Sequence, residues 1–365
     1  MFARLVIALT FTLSLTTGYA LAANENVTGR WSSVTTLPLV PSSGAVLPNG
    51  KVLLWAADGE FSFGSGYVAN TVLVDPTSLS QQRLTSNVGH NMFCTGTTNL
   101  PDGRILVNGG TQSTATSIFD PTNNSFTLAQ NMNVARGYNA NTILPDGSVF
   151  TLGGSWSVSA TTDKIGEVWT SSGGWQSRTG ISSLPMQNPA QAGNWPQDSH
   201  YWLIPSGNGK VLYAGPAPDM KWINTNGTGS VRDAGRRGND VQSILGNTVM
   251  YDTGKVFKAG GGETNANTTP NSNAYVIDVT TGAAITQPVG NMIYPRGFQN
   301  SVVLPDGKIV IIGGQSYLQA FADSDSVMAS EIWDPATSKF TVAAPISVPR
   351  NYHSIAMLLD RKSVV

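Results

Sequence analysis

The chain has 365 residues, of which 40% are hydrophobic and only 12% are charged, and its formal net charge is −1. Charged residues make up ~25% of an average soluble domain, so this chain is poor in charge. It has no basic run of the kind that nucleic acids or anionic lipids attract. We therefore expect small or uncharged partners, no nucleic acid, and a large core that needs no disulfide bonds.

The first 22 residues have the layout of a secretory signal peptide. Arg4 precedes an apolar run from Leu5 to Leu15, and small residues follow up to Ala22. A membrane anchor would need about 20 apolar residues, whereas this run is shorter and broken by threonines. We predict cleavage after Ala22 and a secreted, extracellular protein with no membrane span after cleavage.

The rest of the chain is repetitive. Four near-copies, VLPNGKVLLWAADG, NLPDGRILVNGG, ILPDGSVFTLGG and VLPDGKIVIIGG, and two looser ones, GNGKVLYAGP and TGKVFKAGGG, place turn glycines at Gly50, Gly103, Gly147, Gly209, Gly254 and Gly307. Their spacing is close to the ~50 residues of a kelch repeat.

Each copy predicts a β-hairpin and a buried strand. Asn-Gly or Asp-Gly supplies the positive φ of a tight turn. The run after it, such as KIVII from Lys308 to Ile312, is almost wholly apolar and indicates a strand buried on both faces. The double glycine that follows allows strands to crowd together where blades converge. An unrelated β-sandwich would not explain six similar hairpins at this spacing.

These units predict an all-β fold, a kelch-type seven-bladed β-propeller over residues 29–365. A seventh turn is expected near residue 360, because AMLLD begins like the strand before the other turns. The final RKSVV breaks that pattern. We therefore expect the last blade to be incomplete in this chain, through truncation or a gene-model artefact.

Cys94, in VGHNMFCTGT, is the only cysteine of the chain. In an oxidising compartment an unpaired cysteine indicates an intermolecular bond, a reactive thiol or a buried inert thiol. Taken alone, the buried inert thiol is the commonest of these.

Four phrases resemble the copper-radical oxidases, the family of galactose oxidase and glyoxal oxidase. GHNMFCTG carries Phe93 and Cys94, NVARGYNANTILPDGSVFTLGGSW carries Tyr138 and Trp156, and SVPRNYHSIAMLL carries Tyr352 and His353. The opening GRWSSVTTLPLVPSSGAVLPNGKVLLW resembles the start of the galactose oxidase propeller. The likeness runs from about Gly29 to about Leu359.

The resemblance implies a copper ion and a cofactor made from the protein itself. Cys94 would form a thioether with Tyr138, and Trp156 would stack over the resulting radical. Tyr138, Tyr352 and His353 would be copper ligands, with Tyr352 the axial phenolate that takes the substrate hydroxyl proton. A tetragonal set of N and O donors is what copper(II) prefers.

This chain departs from the family pattern in two ways. The family takes a second histidine ligand from a C-terminal β-sandwich domain, whereas no histidine follows His353 here. We expect that domain to be absent from this chain. The stretch AGNWPQDSHYW also has no arginine where galactose oxidase has one for its sugar. Phe93, Trp156 and, less closely, Phe321 match the walls of the family's substrate pocket, which favours a less polar primary alcohol or an aldehyde over galactose.

Two hypotheses of different classes follow. The first is a secreted oxidase that converts a primary alcohol to an aldehyde, or an aldehyde to an acid, and reduces O₂ to H₂O₂. The second is a non-catalytic secreted propeller that binds a glycan or a protein, or an inactive fragment of an oxidase. His90 and His200 are interpreted as structural residues.

Overall fold

The computed structural model describes residues 25–64, 66–85, 88–155, 162–188, 200–359 and 362–364. The described chain is almost entirely β-structure, with a short helix α1 at Glu25–Thr28 and a 3₁₀ helix at Leu184–Met186. Within these ranges, no helix combines the length and apolar character needed to cross a bilayer. The predicted signal peptide lies outside the described residues.

Six antiparallel sheets of four consecutive strands form six blades. Blades one to three are β1 Ser43–Val46, β2 Val52–Trp55, β3 Thr71–Val74, β4 Gln81–Leu84; β5 Gly96–Asn99, β6 Ile105–Asn108, β7 Thr116–Asp120, β8 Ser125–Ala129; and β9 Ala140–Ile143, β10 Val149–Leu152, β11 Gly166–Thr170, β12 Gly174–Arg178. Blades four to six are β13 Trp202–Pro205, β14 Lys210–Gly215, β15 Asp219–Asn224, β16 Ser230–Arg236; β17 Asn247–Asp252, β18 Lys255–Ala259, β19 Asn273–Asp278, β20 Ile285–Asn291; and β21 Asn300–Val303, β22 Ile309–Ile312, β23 Ser330–Asp334, β24 Lys339–Ala343.

The first strand of each blade lies nearest the axis, where it contacts the first strand of a neighbouring blade, as β5 contacts β9. The second strands are buried on both faces, as the apolar runs predicted, and β22 is buried along its whole length. The fourth strands are largely exposed, as in β4. Burial is therefore greatest in the second and third strands, and it is lower both in the first strands, such as β1, and in the outer fourth strands.

The predicted turns are confirmed at all six marker glycines, which have φ between 69° and 87°. The double glycines also do what the sequence predicts. A Cβ at Gly109 would lie 2.5 Å from the carbonyl oxygen of Arg136, and a Cβ at Gly110 would lie 2.5 Å from that of Phe93. No side chain fits at that distance, so the glycines let the second blade meet the segments that approach the axis.

The prediction of seven blades is wrong as stated, because the described chain forms six complete blades and one two-stranded sheet. That sheet pairs β25 Met357–Leu359 with β26 Lys362–Val364. The residues after Leu359 lack the Asp-Gly turn and the buried apolar run that build the second strand elsewhere. β25 lies beside β21, in the place of a further first strand.

The hydrophobic core is a ring of clusters, each between two adjacent sheets. Phe257 of the fifth blade packs against Ile309 and Trp333 of the sixth, and equivalent clusters join the other neighbouring blades. The two-stranded sheet completes the ring. Leu358 packs with the sixth blade, and Leu359 packs with the first.

Two buried ion pairs occupy the same place in blades three and six. Arg136 donates to Glu167 at 2.9 Å, Arg296 donates to Glu331 at 2.7 Å, and none of the four side chains is exposed. Each arginine also donates to the carbonyl of the first glycine in the double glycine of its own blade. Each glutamate accepts backbone N–H bonds from the segment before its arginine. The pairs thus fix the segments that lead into β9 and β21.

We expect Glu331→Ala to lower the free energy of unfolding by about 3–5 kcal/mol, because it leaves the buried guanidinium of Arg296 without a counter-charge. Urea unfolding measures the loss. The matched control is Lys308→Ala in the same blade, which removes a partly exposed ion pair with Asp306 and leaves the Asp-Gly turn intact, so it should cost far less. Equal losses in the two variants would contradict this assignment.

Candidate active site

Six residues with left-handed backbone conformation stand at equivalent places, just before the first strands of blades two to six and before β25. They are Cys94, Tyr138, His200, Leu245, Phe298 and His353, with φ between 49° and 65°. A residue with a side chain adopts this conformation only at a cost, and such residues cluster at functional sites. All six line one cavity of about 260 Å³ on the axis.

Three of the predicted ligands converge in this cavity. The hydroxyl of Tyr138 is in hydrogen-bond contact with the hydroxyl of Tyr352, and it lies 3.5 Å from Nε2 of His353. The rings of Tyr352 and His353 stack with their centroids 3.8 Å apart. Residues from two distant parts of the sequence thus present two phenol oxygens and one imidazole nitrogen to the same point.

Cys94 is buried beside these groups. Its Sγ lies 3.7 Å from Nε2 of His353, and the backbone N–H of Tyr138 donates to the carbonyl of Cys94 at 2.8 Å. The two residues predicted to form a thioether therefore come from adjacent blades and share one cavity. The thioether between them remains a prediction from the resemblance.

The segment that carries Tyr352 and His353 is hydrogen-bonded just before and just after these two residues. The carbonyl of Arg350 accepts from the N–H of Gly314 at 2.8 Å. The Asn300 side chain on β21 donates to Ser354 at 3.1 Å. Both contacts come from the sixth blade, so that blade positions the two candidate ligands.

Burial controls the protonation of the site. It lowers the pKa of His353 to about 4, and the nearby His200 contributes a smaller repulsion. It raises the pKa of Tyr352 well above the ordinary value of 10.0, with a further contribution from Cys94. His353 is therefore neutral at neutral pH and keeps a lone pair for a metal ion, while Tyr352 needs a neighbouring cation to become a phenolate.

An aromatic wall borders the cavity. Phe93 contacts the His353 ring edge-on at 5.2 Å, and Phe321 contacts the Tyr352 ring edge-on at 4.9 Å. Phe63 lies between these two, stacked on Phe93 at 5.2 Å and on Phe321 at 5.6 Å. Sequence reasoning found Phe93 and Phe321 but missed Phe63, which lies in the loop between β2 and β3, outside the repeated phrases.

The structural interpretation of His200 is incomplete. Its ring packs on the ring of Tyr138 with centroids 4.7 Å apart, so it belongs to the site. His90 does have the structural role expected, because it is fully buried between Ser117 and the carbonyl of Gly109. Trp156 lies outside the described residues, as does the stretch from Ala192 to Ser199.

The donor set suits a metal ion of a particular kind. The described residues contain no cluster of three or more His, Cys, Asp and Glu side chains that could hold a metal. The two phenol oxygens and the imidazole nitrogen that meet in the cavity form a mixed set of N and O donors, which is typical of copper(II) sites. The fold and the site together define a β-propeller with a candidate copper centre on its axis.

Comparisons with known proteins agree. Galactose oxidase from Gibberella zeae is 37% identical over 347 residues, which cover 91% of this chain and 51% of the relative. A solved fungal alcohol oxidase of the AA5 family, in complex with copper, superposes with a TM-score of 0.87 at 36% identity, covering 92% of this chain and 71% of the other. No family model matches. The chain belongs to the copper-radical oxidase family of galactose oxidase, as the four phrases predicted, and spans about half the length of its curated relatives.

His90 should make stability depend on pH. Burial lowers its pKa to about 4 in the folded protein, whereas the ordinary value is 6.5. The folded state thus binds fewer protons, so the stabilisation is complete above pH ~6.5 and is lost as the pH falls towards about 4. We expect the loss of unfolding free energy between about pH 7 and pH 5 to be about 2 kcal/mol smaller in His90→Gln than in the wild type. Urea unfolding at several pH values measures it, and parallel curves would contradict the prediction.

Proposed function

We propose that residues 29–365 are the propeller of a secreted copper-radical oxidase that converts a primary alcohol and O₂ to an aldehyde and H₂O₂. An aldehyde is the second substrate class, oxidised to an acid. The observation that carries the proposal is the convergence of Tyr138, Tyr352 and His353 beside Cys94 in one cavity. The names of the two relatives, galactose oxidase and an alcohol oxidase in complex with copper, support it.

Tyr138, Tyr352 and His353 would hold the copper ion. When bound, copper supplies one of the two oxidising equivalents that the removal of two electrons from an alcohol requires. The site favours a cation because His353 is neutral at neutral pH and two phenols face it. The aromatic wall limits the access of water from one side of these groups.

Cys94 and Tyr138 would supply the second oxidising equivalent through a thioether cofactor. Its formation removes the hydrogen of the thiol and one hydrogen of the phenol ring, and the two electrons reduce O₂ to H₂O₂. The burial of Cys94 and its backbone contact with Tyr138 support this pairing. The role of Trp156 as a shield for the radical remains a prediction from the resemblance.

Tyr352 would accept the substrate hydroxyl proton. The ring of Tyr352 is in edge contact with Phe321, so Tyr352 lies between the buried part of the site and the aromatic wall. An alcohol with an apolar body could rest on Phe63 and Phe321 while its hydroxyl reaches Tyr352. We therefore propose apolar primary alcohols, and aryl alcohols in particular, as the preferred class.

Secretion follows from the signal peptide predicted over residues 1–22. An extracellular site agrees with a reaction that consumes O₂ and releases H₂O₂. We propose no nucleic acid and no membrane partner, because the chain has a net charge of −1 and few basic residues.

Copper and O₂ should remove two hydrogens from the intact mass of the reduced protein and join the peptides of Cys94 and Tyr138. Mass spectrometry of the whole chain and of its tryptic peptides measures both changes. Cys94→Ser and Tyr138→Phe are the controls, and neither should change in mass. An unchanged wild-type mass in folded, copper-loaded protein, with a free thiol and no peroxide, would favour the non-catalytic propeller instead.

The aromatic wall of Phe63, Phe93 and Phe321 predicts that the proposed oxidase prefers apolar substrates. We expect kcat/KM for benzyl alcohol to exceed that for galactose by about tenfold or more, because sugar hydroxyls would lose water without gaining partners at a phenyl surface. Phe321→Ala should reduce this ratio, while Leu128→Ala on the distant strand β8 should leave it unchanged. Peroxide release measures both rates. A preference for galactose that survives Phe321→Ala would refute the assignment.

A further inference from the structure

Side-chain amides of the second blade hold the loop that carries Phe63. Gln112 donates to the carbonyl of Gly66 at 3.1 Å and accepts from the backbone N–H of Asn91. Asn91 is fully buried, and its side chain donates to the carbonyl of Gly64 at 3.2 Å. The loop between β2 and β3 of the first blade is therefore fastened to its neighbour on the side of the cavity.

The loop that carries Phe321 is held by the same chemistry. Gln315 is fully buried and donates to the carbonyls of Ala322 at 2.9 Å and Ser324 at 3.0 Å. Asn351, next to Tyr352, donates to the carbonyl of Ala322 at 3.1 Å. The β22–β23 loop of the sixth blade is thus fastened to the segment that carries two candidate ligands.

The two glutamines occupy related places in their blades. Each follows the double glycine that ends a second strand, Gly109–Gly110 for Gln112 and Gly313–Gly314 for Gln315. Gln112 reaches a backbone carbonyl of the β2–β3 loop in the neighbouring blade, and Gln315 reaches two backbone carbonyls of its own β22–β23 loop. Neither of these glutamines was singled out by the sequence patterns that located the ligands.

The rings that these loops carry are exposed. Phe63 is 58% exposed and Phe321 is 68% exposed, although they stack on each other. Their ring contacts with each other, with Phe93 and with Tyr352 do not by themselves fix the conformation of two loops, since ordering a loop costs backbone entropy. The side-chain amides supply directional bonds to the backbone just after Phe63 and on both sides of Phe321.

We propose that Gln112 and Gln315 are positioning residues for substrate selection. They hold the β2–β3 and β22–β23 loops so that Phe63 and Phe321 form one apolar surface in front of the Tyr352 and His353 rings. The ligand class is an aryl or similarly apolar alcohol body. This inference rests on the proposed oxidation of alcohols but adds which residues fix the specificity.

The test replaces each glutamine with methionine, which has a similar length and cannot donate these hydrogen bonds. In copper-loaded full-length chain, Gln112→Met and Gln315→Met should each raise KM for benzyl alcohol about tenfold, with kcat within about twofold. For ethanol, which is too small to cover the wall, KM should change less than about twofold. Equal losses for both alcohols, or no change for either, would overturn the proposal.

A matched control and a local readout separate positioning from general damage. Gln81→Met removes an equivalent bond, from Gln81 to the carbonyl of Thr36, on an outer strand, and should change neither KM. Amide hydrogen exchange should accelerate in the β2–β3 loop only for Gln112→Met, and in the β22–β23 loop only for Gln315→Met. Accelerated exchange throughout the propeller would instead show a merely structural role.

Binding of toluene, an unreactive aryl probe, distinguishes this inference from the proposed function. Wild-type protein should bind toluene about tenfold more tightly than either variant. If toluene binding behaves in this way but no alcohol yields peroxide, the proposed function fails and the positioning role stands. If peroxide is formed but the variants bind toluene like the wild type, the positioning role fails. Should a glutamine variant not fold, Phe63→Ala tests the same surface from an exposed position and must weaken toluene binding similarly.

Discussion

The candidate site depends on a backbone constraint repeated around the axis. Before the first strands of blades two to six and before β25, one residue takes the left-handed conformation, which is costly for any residue with a side chain. Double glycines make the close approach possible, and in two blades a buried arginine–glutamate pair fixes the preceding segment. On this backbone, the residue types at these left-handed positions determine which reactive groups face the cavity. Leu245 and Phe298 make their part of the cavity inert, whereas Cys94, Tyr138 and His353 supply reactive groups.

The turn chemistry explains why the blades could be predicted from sequence. Asp-Gly and Asn-Gly favour tight turns locally, and the apolar runs that follow them favour burial, so both signals can be read without knowledge of the fold. A regular spacing in the sequence also marks residues that line the cavity. Cys94, Tyr138, His200, Leu245 and Phe298 each stand nine residues before the turn glycine of their own blade. That offset would have placed His200 in the cavity. Phe63 lies outside the repeated phrases, so their period could not reveal it. The prediction of seven blades assumed one further repeat with an incomplete last blade, and the described chain forms a two-stranded sheet there.

Buried charge was the least predictable part of the fold. In a chain with only 12% charged residues, Arg136, Glu167, Arg296 and Glu331 are all fully buried, and Lys258 is buried 2.8 Å from Asp240. Local patterning does not indicate such pairs, because the partners are remote in sequence and each alone would be assigned to the surface. These pairs contribute more to the orientation of the backbone than to net stability, since a buried ion pair stabilises little relative to a well-packed apolar replacement. Here they orient the segments on which the site residues stand.

The site combines a desolvated interior with a solvent-exposed aromatic surface. Cys94 lies in a desolvated interior that keeps His353 neutral, which suits a redox centre that must be protected from water. Phe63 and Phe321 are open to solvent, which suits the exchange of substrate and product. The connection between them is short, because Phe321 contacts Tyr352 and Phe93 contacts His353 directly. Any displacement of the exposed rings is therefore transmitted to the candidate ligands through two ring contacts. Rigidity of the loops is a requirement of such a site, and the side-chain amides of Asn91, Gln112 and Gln315 are among the groups that hold their backbone.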